Sequence, residues 1–305
     1  MSNTVGGAFR TAVARLAAAG QPASDVEELL SRLLGVGRGD LRRMGETPFP
    51  AAQQARFDAW LARRLAGEPV QYVTGRAAFR DLDLAVDPRV LIPRPETELL
   101  VDEVLAHLAR GEWSRRAPRV LDLGTGSGCI ALAIAHEFPR AEVTAVDASD
   151  EALAVARGNA TALGLDARVA FASGSWWDAV PSEERYDVVV SNPPYISPAE
   201  AADLPADVRD HEPHAALFAD DDGLADLRTI VESAPKHLYT GGLLALELAE
   251  MRARDVAAWL EGAHDWHEVV LRDDLTGRPR MLLARRERGP AIAPAQWGED
   301  GRVDG

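Results

Sequence analysis

A single cysteine, Cys129, is all the thiol chemistry that the 305 residues contain. It has no partner for an internal disulfide, so the chain needs no oxidising compartment, and zinc sites built on several cysteines are excluded. Long apolar runs are missing as well. The first twenty residues carry no continuous apolar stretch of signal-peptide length, and nowhere do about eighteen uncharged apolar residues follow one another. A cytoplasmic chain without a membrane partner is expected. Basic charge is scarce: 33 Lys and Arg stand against 48 Asp and Glu, a formal net charge of -15. Such a surface repels phosphate backbones, so no direct nucleic-acid partner is expected, although the sum leaves room for a local basic patch. We find no internal repeat and expect no metal site. What is present in quantity is apolar side chain, 47% of the sequence, enough for a full core.

The apolar residues change their period along the chain. Val5, Phe9, Val13 and Leu16 recur at helical spacing, as do Val26, Leu29, Leu30, Leu33 and Leu34, with Ser24 and Glu27 forming a capping-box pattern before the second run. A third helix follows Pro50, with Phe57, Trp60, Leu61 and Leu65 on one face, and Gly67-Glu68-Pro69 ends the bundle. Between Gln71 and Pro95 short apolar pieces cut by glycine and proline predict a hairpin-like connector. The chain is helical from Thr97 to about Ala109, and a polar linker runs from Arg110 to Pro118. Strands then alternate with helices: strands over 119–123, 142–147, 169–172, 186–191 and 243–248, helices over 129–137, 150–163 and 224–238, and a closing strand pair over 266–271 and 280–285. This alternation predicts an α/β fold, a doubly wound and mostly parallel sheet with helices on both faces.

The first of those strands, Val120-Leu121-Asp122-Leu123, runs straight into Gly124-Thr125-Gly126-Ser127-Gly128. Ligands of doubly wound sheets bind at such carboxyl ends, and glycine there permits both a tight turn and close approach to the backbone. The second strand ends in Asp147, placed to accept both hydroxyl protons of a ribose. Glycine loop and acid together imply an adenosine. The G-x-G-x-G spacing, unlike that of dinucleotide enzymes, fits a ligand with no pyrophosphate to seat. A bare strand-to-helix turn and a helix-capping Asp147 are the alternative. Asp122 either caps local backbone groups or meets the ammonium of a methionine moiety.

A third buried strand, Val188 to Ser191, ends in Asn192-Pro193-Pro194-Tyr195 on the same rim. Two prolines fix the backbone and remove two amide donors, leaving carbonyls free to accept. The Asn192 side-chain oxygen and the Pro193 carbonyl could each take one hydrogen of an NH2 group and aim its nitrogen at an activated methyl carbon. Tyr195 supplies an aromatic wall for a flat group. The combination reads as an S-adenosylmethionine-dependent methyltransferase acting on a planar amide or amine nitrogen, with Asn192, Pro193, Pro194 and Tyr195 as the catalytic rim. A proline-stiffened turn capped by Asn192 is the plainer alternative.

These segments, together with Gly67-Glu68-Pro69, Tyr72-x-x-Gly75, Leu91-Ile92-Pro93-Arg94-Pro95-Glu96-Thr97-Glu98, Glu212-Pro213 and Asp274 to Arg280, resemble the HemK group of class I methyltransferases. Members of that group modify the side-chain amide of glutamine in peptide chain release factors. The resemblance spans roughly Val26 to Arg285, and the proline-rich Ile92 to Glu98 is its most particular segment. It implies that Gly124, Thr125, Gly126, Ser127, Gly128, Asp147, Trp176 and Asn192 contact S-adenosylmethionine. It also implies that Asn192 to Tyr195 meet the glutamine of a Gly-Gly-Gln tip, and that a helical domain over 1–70 grips the release factor. Residues 71–96 then form the hairpin linker, 97–286 the catalytic domain with a seven-stranded sheet, and 287–305 a disordered tail. The resemblance prefers Trp176 over the adjacent Trp177 as the aromatic cover. Arg94 and Glu96 either close the site or pair with each other. His211, where the family usually shows an aromatic beside Glu212, reads as a solvated histidine. A monomer is expected. The rival readings are an exocyclic adenine methyltransferase of DNA or RNA, which needs the same nitrogen clamp, a glutamine methyltransferase acting on a ribosomal protein, and a non-catalytic module that keeps the fold for assembly.

Overall fold

A computed structural model describes residues 4–111 and 116–287. Five helices open the chain: α1 (Val5–Ala18), α2 (Ser24–Leu34), α3 (Arg38–Arg43), α4 (Ala51–Leu65) and α5 (Val70–Thr74). The apolar faces of the longer three meet in one cluster that includes Leu16, Leu30, Phe57 and Trp60. Gly67-Glu68-Pro69 ends α4 without ending the bundle, because Val70 and Val73 of α5 turn back into the same cluster. Gly75, in the left-handed region, stops α5 and leads to the hairpin of β1 (Arg76–Phe79) and β2 (Leu82–Ala85), followed by α6 (Pro95–Arg110) with proline at its first turn.

The remaining elements are β3 (Arg119–Leu123), α7 (Cys129–Glu137), β4 (Glu142–Asp147), α8 (Asp150–Ala162), β5 (Val169–Ser173) and β6 (Tyr186–Ser191). After them come α9 (Ala206–His211), α10 (Asp220–Gly223), α11 (Ala225–His237), β7 (Leu238–Glu247), α12 (Ala253–Glu261), β8 (Trp266–Asp273) and β9 (Pro279–Arg286). The seven strands β3 to β9 form one sheet in the order β5-β4-β3-β6-β7-β9-β8. Strands β5 to β7 of that order run parallel, and β9 lies antiparallel between β7 and β8. Two apolar clusters cover the two faces: α6 and α7 contribute Leu100, Val104 and Leu132 to one, α11 and α12 contribute Leu227, Ile230 and Val256 to the other. Burial on both faces explains why β6 reads Val188-Val189-Val190 without alternation. From β3 the chain winds outward through β4 to β5 and then returns to β6 on the other side of β3, so the direction reverses between β3 and β6. Their carboxyl ends border the crevice where such sheets take ligands.

Several local expectations are corrected. Ser24 makes no side-chain cap: α2 starts on Pro22 and Ala23 backbone carbonyls, and Ser24 is already inside its first turn. The capping box lies instead at Ser197 and Glu200, at the start of a 3-10 turn over Pro198–Asp203. Strand β7 begins at Leu238, ahead of the Gly241-Gly242 pair, because those glycines form an irregularity within the strand where pairing jumps from Tyr186 with Leu238 to Val188 with Leu243. The proposed tail over 287–305, apart from Glu287, and part of the 110–118 linker lie outside the described residues.

The hairpin is tied to the sheet by Asn159 of α8. Its Nδ2 donates to the carbonyls of Ala85 (3.0 Å) and Ser127 (2.9 Å), and its Oδ1 accepts from Ala85 N (2.7 Å). Asn159 is buried, so Asn159→Ala leaves backbone groups unpaired and should cost about 3 kcal/mol. Chemical denaturation checks this; a loss below about 1 kcal/mol would show that the hairpin is held by apolar contacts alone.

Candidate functional site

The register of β3 on β6 sets Leu123 beside Ser191, and Ser191 Oγ donates to Leu123 O at 2.6 Å. The glycine loop and the Asn192 segment therefore leave the sheet side by side. Gly124, Gly126 and Gly128 all have positive φ. At Gly124 the conformation is coupled to a close approach: an added Cβ would stand 3.3 Å from Cζ3 of Trp176. The indole thus lies on the backbone of the loop and forms one wall of a cavity of about 320 Å³.

Five of the expected cofactor residues line that cavity: Gly124, Gly126, Asp147, Trp176 and Asn192. Thr125, Ser127 and Gly128 face the protein interior. Thr125 and Ser127 are buried, Thr125 Oγ1 donates to Asp122 Oδ2 at 2.6 Å, and Gly128 packs on Leu132 and Ala156. They shape the loop and do not line the cavity. Asp147 accepts backbone N–H groups from Gly126 (2.8 Å, on Oδ2) and Ser149 (2.9 Å, on Oδ1). Each carboxylate oxygen keeps a second lone pair, so Asp147 both caps the turn and faces the cavity. Asp122 is fully buried, and its Oδ2 also accepts from Ala131 N at 3.2 Å. This is the capping role, and among the described residues Oδ1 has no hydrogen-bond partner.

Trp176 is separated from its neighbour by its surroundings. Its φ is +47°, and its Nε1 donates to Asp226 Oδ1 at 3.0 Å. Trp177 instead stacks on His237 at 4.7 Å and donates to Thr229 O. Asp226, at the start of α11, lines the cavity too, and burial raises its pKa. Sequence reading missed it, since an acid in a first helical turn looks like a response to the helix dipole.

Asn192 also borders a second cavity of about 690 Å³, together with Pro193, Tyr195, Glu96, Glu247 and Arg280. A chain of hydrogen bonds links Asn192 to Glu247 and Tyr195, which line the second cavity. Asn192 Nδ2 donates to Thr97 Oγ1 (3.0 Å), Thr97 Oγ1 donates to Glu247 Oε2 (2.6 Å), and Tyr195 OH donates to Glu247 Oε1 (3.1 Å). Thr97 and Glu247 are buried, and desolvation raises the pKa of Glu247 against the opposing pull of its hydrogen bonds and of Arg280. Gly223, at φ +83°, lets α10 pass against the Tyr195 carbonyl, where a Cβ would stand only 2.3 Å away.

Arg94 pairs with Glu212 at 2.6 Å and not with Glu96, and Glu212 also accepts from Ile92 N at 3.2 Å. This pins the proline-rich segment to the Glu212-Pro213 turn. His211 ends α9 and lines neither cavity; its Nε2 lies 3.7 Å from the space above Gly67. The buried Arg64 of α4 holds Asp25 at 2.6 Å and reaches Asp207 of α9 at 3.7 Å, so the bundle sits against the segment beyond Tyr195.

The residues present fit an adenosine ligand. The glycine backbone, an indole face and a carboxylate with free lone pairs converge on one cavity of small-molecule size. Comparison with known proteins agrees. The family described as PrmC N-terminal domain matches residues 7–75, and the methyltransferase small domain matches residues 96–206. A release factor glutamine methyltransferase from Bordetella pertussis is 45% identical over 266 residues, 87% of this chain and 96% of the relative. Those from Salmonella typhimurium and Streptomyces coelicolor are 44% and 39% identical over 90% of this chain and 96% and 95% of their own. Among solved structures, a methyltransferase from Pyrococcus furiosus is similar in fold, with TM-score 0.50, 20% identity and coverage of 78% of this chain and 100% of that one. The hMettl16 catalytic domain, solved in complex with an RNA hairpin, reaches TM-score 0.53 at 16% identity over 78% of this chain and 82% of that one.

Burial pushes the Asp122 carboxyl up to about 7, whereas an unfolded aspartate titrates near about 3.9. The folded state binds this proton more tightly. The stability it contributes is fully present below the unfolded value and is lost as pH rises through about 7. Asp122→Asn has no such proton, so wild type should lose melting temperature relative to the variant between about pH 4 and pH 7. Parallel melting curves for the two proteins across that range would remove the assignment.

Proposed function

The chain belongs to the release factor glutamine methyltransferase family, and from that premise we infer that it methylates the side-chain amide nitrogen of the glutamine in the Gly-Gly-Gln tip of peptide chain release factors. The methyl donor in this reading is S-adenosylmethionine. The observation that carries it is the position of Asn192, which borders both the adenosine-sized cavity and the wider one beside Tyr195.

Asp147 would hold the ribose hydroxyls and Trp176 the adenine face, with Gly124 and Gly126 giving the ligand access to the backbone. When bound, S-adenosylmethionine supplies an electrophilic methyl carbon on a sulfonium sulfur. Asn192 donates through Nδ2 to Thr97, so Oδ1 is the atom left to accept one N–H of the substrate carboxamide. The Pro193 carbonyl accepts the other, and Tyr195 bounds the flat group. Two acceptors fixed in place favour a nitrogen that is gaining positive character over one delocalised into its carbonyl. Positioning carries most of the rate, since the amide proton becomes acidic only as the new bond forms. In this reading the N-terminal helical bundle, whose Arg64 reaches Asp207 of α9, grips the release factor, and residues 97–286 perform the transfer. With a protein acceptor and a net charge of -15, we read the chain as a cytoplasmic monomer without a nucleic-acid partner.

Mass spectrometry of release factor peptides, after incubation with this protein and S-adenosylmethionine, should find one added methyl on the tip glutamine. Asn192→Ala should lower kcat by roughly 10²- to 10³-fold while calorimetry shows cofactor affinity nearly intact. Methylation of DNA, RNA or a ribosomal protein in place of the release factor, or undiminished turnover by the variant, would overturn the proposal.

A further inference from the structure

The chain from Asn192 through Thr97 to Glu247 has a direction, and that direction decides which end of the Asn192 carboxamide faces the acceptor. The Thr97 hydroxyl donates to Glu247 Oε2 at 2.6 Å, and Tyr195 OH at 3.1 Å donates to the other oxygen. With its proton committed, Thr97 Oγ1 offers a lone pair. The Asn192 atom 3.0 Å away must then be the amide nitrogen. Oδ1 is left facing the site, where among the described residues it has no hydrogen-bond partner. We propose that Thr97 and Glu247 are positioning residues for methyl transfer, which fix the orientation of the Asn192 carboxamide and so present an acceptor, and not a donor, to the substrate NH2 group. This deepens the reading of the chain as a glutamine methyltransferase and rests on it.

The geometry favours such a role over simple packing. Glu247 is 1% exposed and Thr97 1% exposed, and burying a carboxylate has a cost that an apolar side chain of similar size avoids. Among the described residues its hydrogen-bond donors are Thr97, which leads directly to Asn192, and Tyr195, which belongs to the same rim. The three elements involved are α6, the end of β6 with the loop after it, and the last residue of β7. Without the carboxylate, the Thr97 hydroxyl is free to turn its proton toward Asn192, and the carboxamide can turn over to accept it. A substrate NH2 would then meet another NH2.

The test uses the full chain, a release factor and S-adenosylmethionine. Thr97→Val keeps the shape and removes both the donor and the acceptor; kcat should fall by roughly 10²-fold with cofactor affinity by calorimetry little changed, while melting temperature falls because a buried Glu247 oxygen loses its donor. Thr97→Ser keeps the hydroxyl and should restore most of kcat. Glu247→Leu should lower kcat similarly, and combining it with Thr97→Val should add little, because both act through one chain. A crystal structure of the Thr97→Val variant with a Gly-Gly-Gln peptide should show the Asn192 carboxamide no longer held in one orientation. Wild-type kcat in the Thr97→Val variant, a Thr97→Ser variant as slow as the valine, or fully additive losses in the double variant would each overturn the proposal. Failure of wild type itself to methylate the release factor would instead overturn the function on which it rests.

Discussion

The parallel pairing of β3 with β6 is the constraint on which the site depends. Because Leu123 and Ser191 are partners in register and Ser191 Oγ bonds the Leu123 carbonyl, two loops of different chemistry leave the sheet as neighbours. One is a backbone cradle of glycines; the other is a proline-stiffened rim. Shifting that register by one residue would turn the side chains of β6 to the opposite faces of the sheet and carry Asn192 away from Gly126. Both faces of the two strands are buried, and this burial is what makes the register secure.

Around that pairing, polar groups are buried in places where each has a structural consequence. Asn159 joins the β1–β2 hairpin to the glycine loop. The Arg94–Glu212 pair fastens the proline-rich segment over the site. Glu247 gathers Thr97 and Tyr195 beneath Asn192. Buried carboxylates are held against a desolvation cost and therefore need donors of fixed geometry. The same need makes them good at orienting neighbours, so the rigidity of the acceptor rim follows from groups that an apolar core would lack.

Much of this was legible along the chain, and the exceptions have physical causes. The buried strands and α7 could be bounded closely because apolar runs end abruptly at Gly, Pro or Asp. The Ser24–Glu27 capping box misled because Pro22 and Ala23 already begin α2, whereas the Ser197–Glu200 box, at a short 3-10 turn, precedes no apolar run that would draw notice. The start of β7 was hidden by Gly241-Gly242, which read as a turn and acts as an irregularity within a strand. Arg94 and Glu96 are near in sequence, yet the partner of Arg94 is Glu212, on a turn over a hundred residues away.

By itself the sequence determined the sheet, the bundle, the loop glycines, Asp147 and the Asn192 rim, because each is written in local terms: an apolar period, a backbone that only glycine adopts, a proline pair. Tertiary structure alone decided which loop residues turn inward, what holds Trp176 over the cavity, and which groups hold the Asn192 carboxamide with its oxygen toward the acceptor. Those outcomes depend on Asp226, Thr97 and Glu247, residues far apart in the chain and unremarkable in their own segments. Hydrogen-bond direction is a property of groups already brought together, so no reading of neighbours in sequence can supply it.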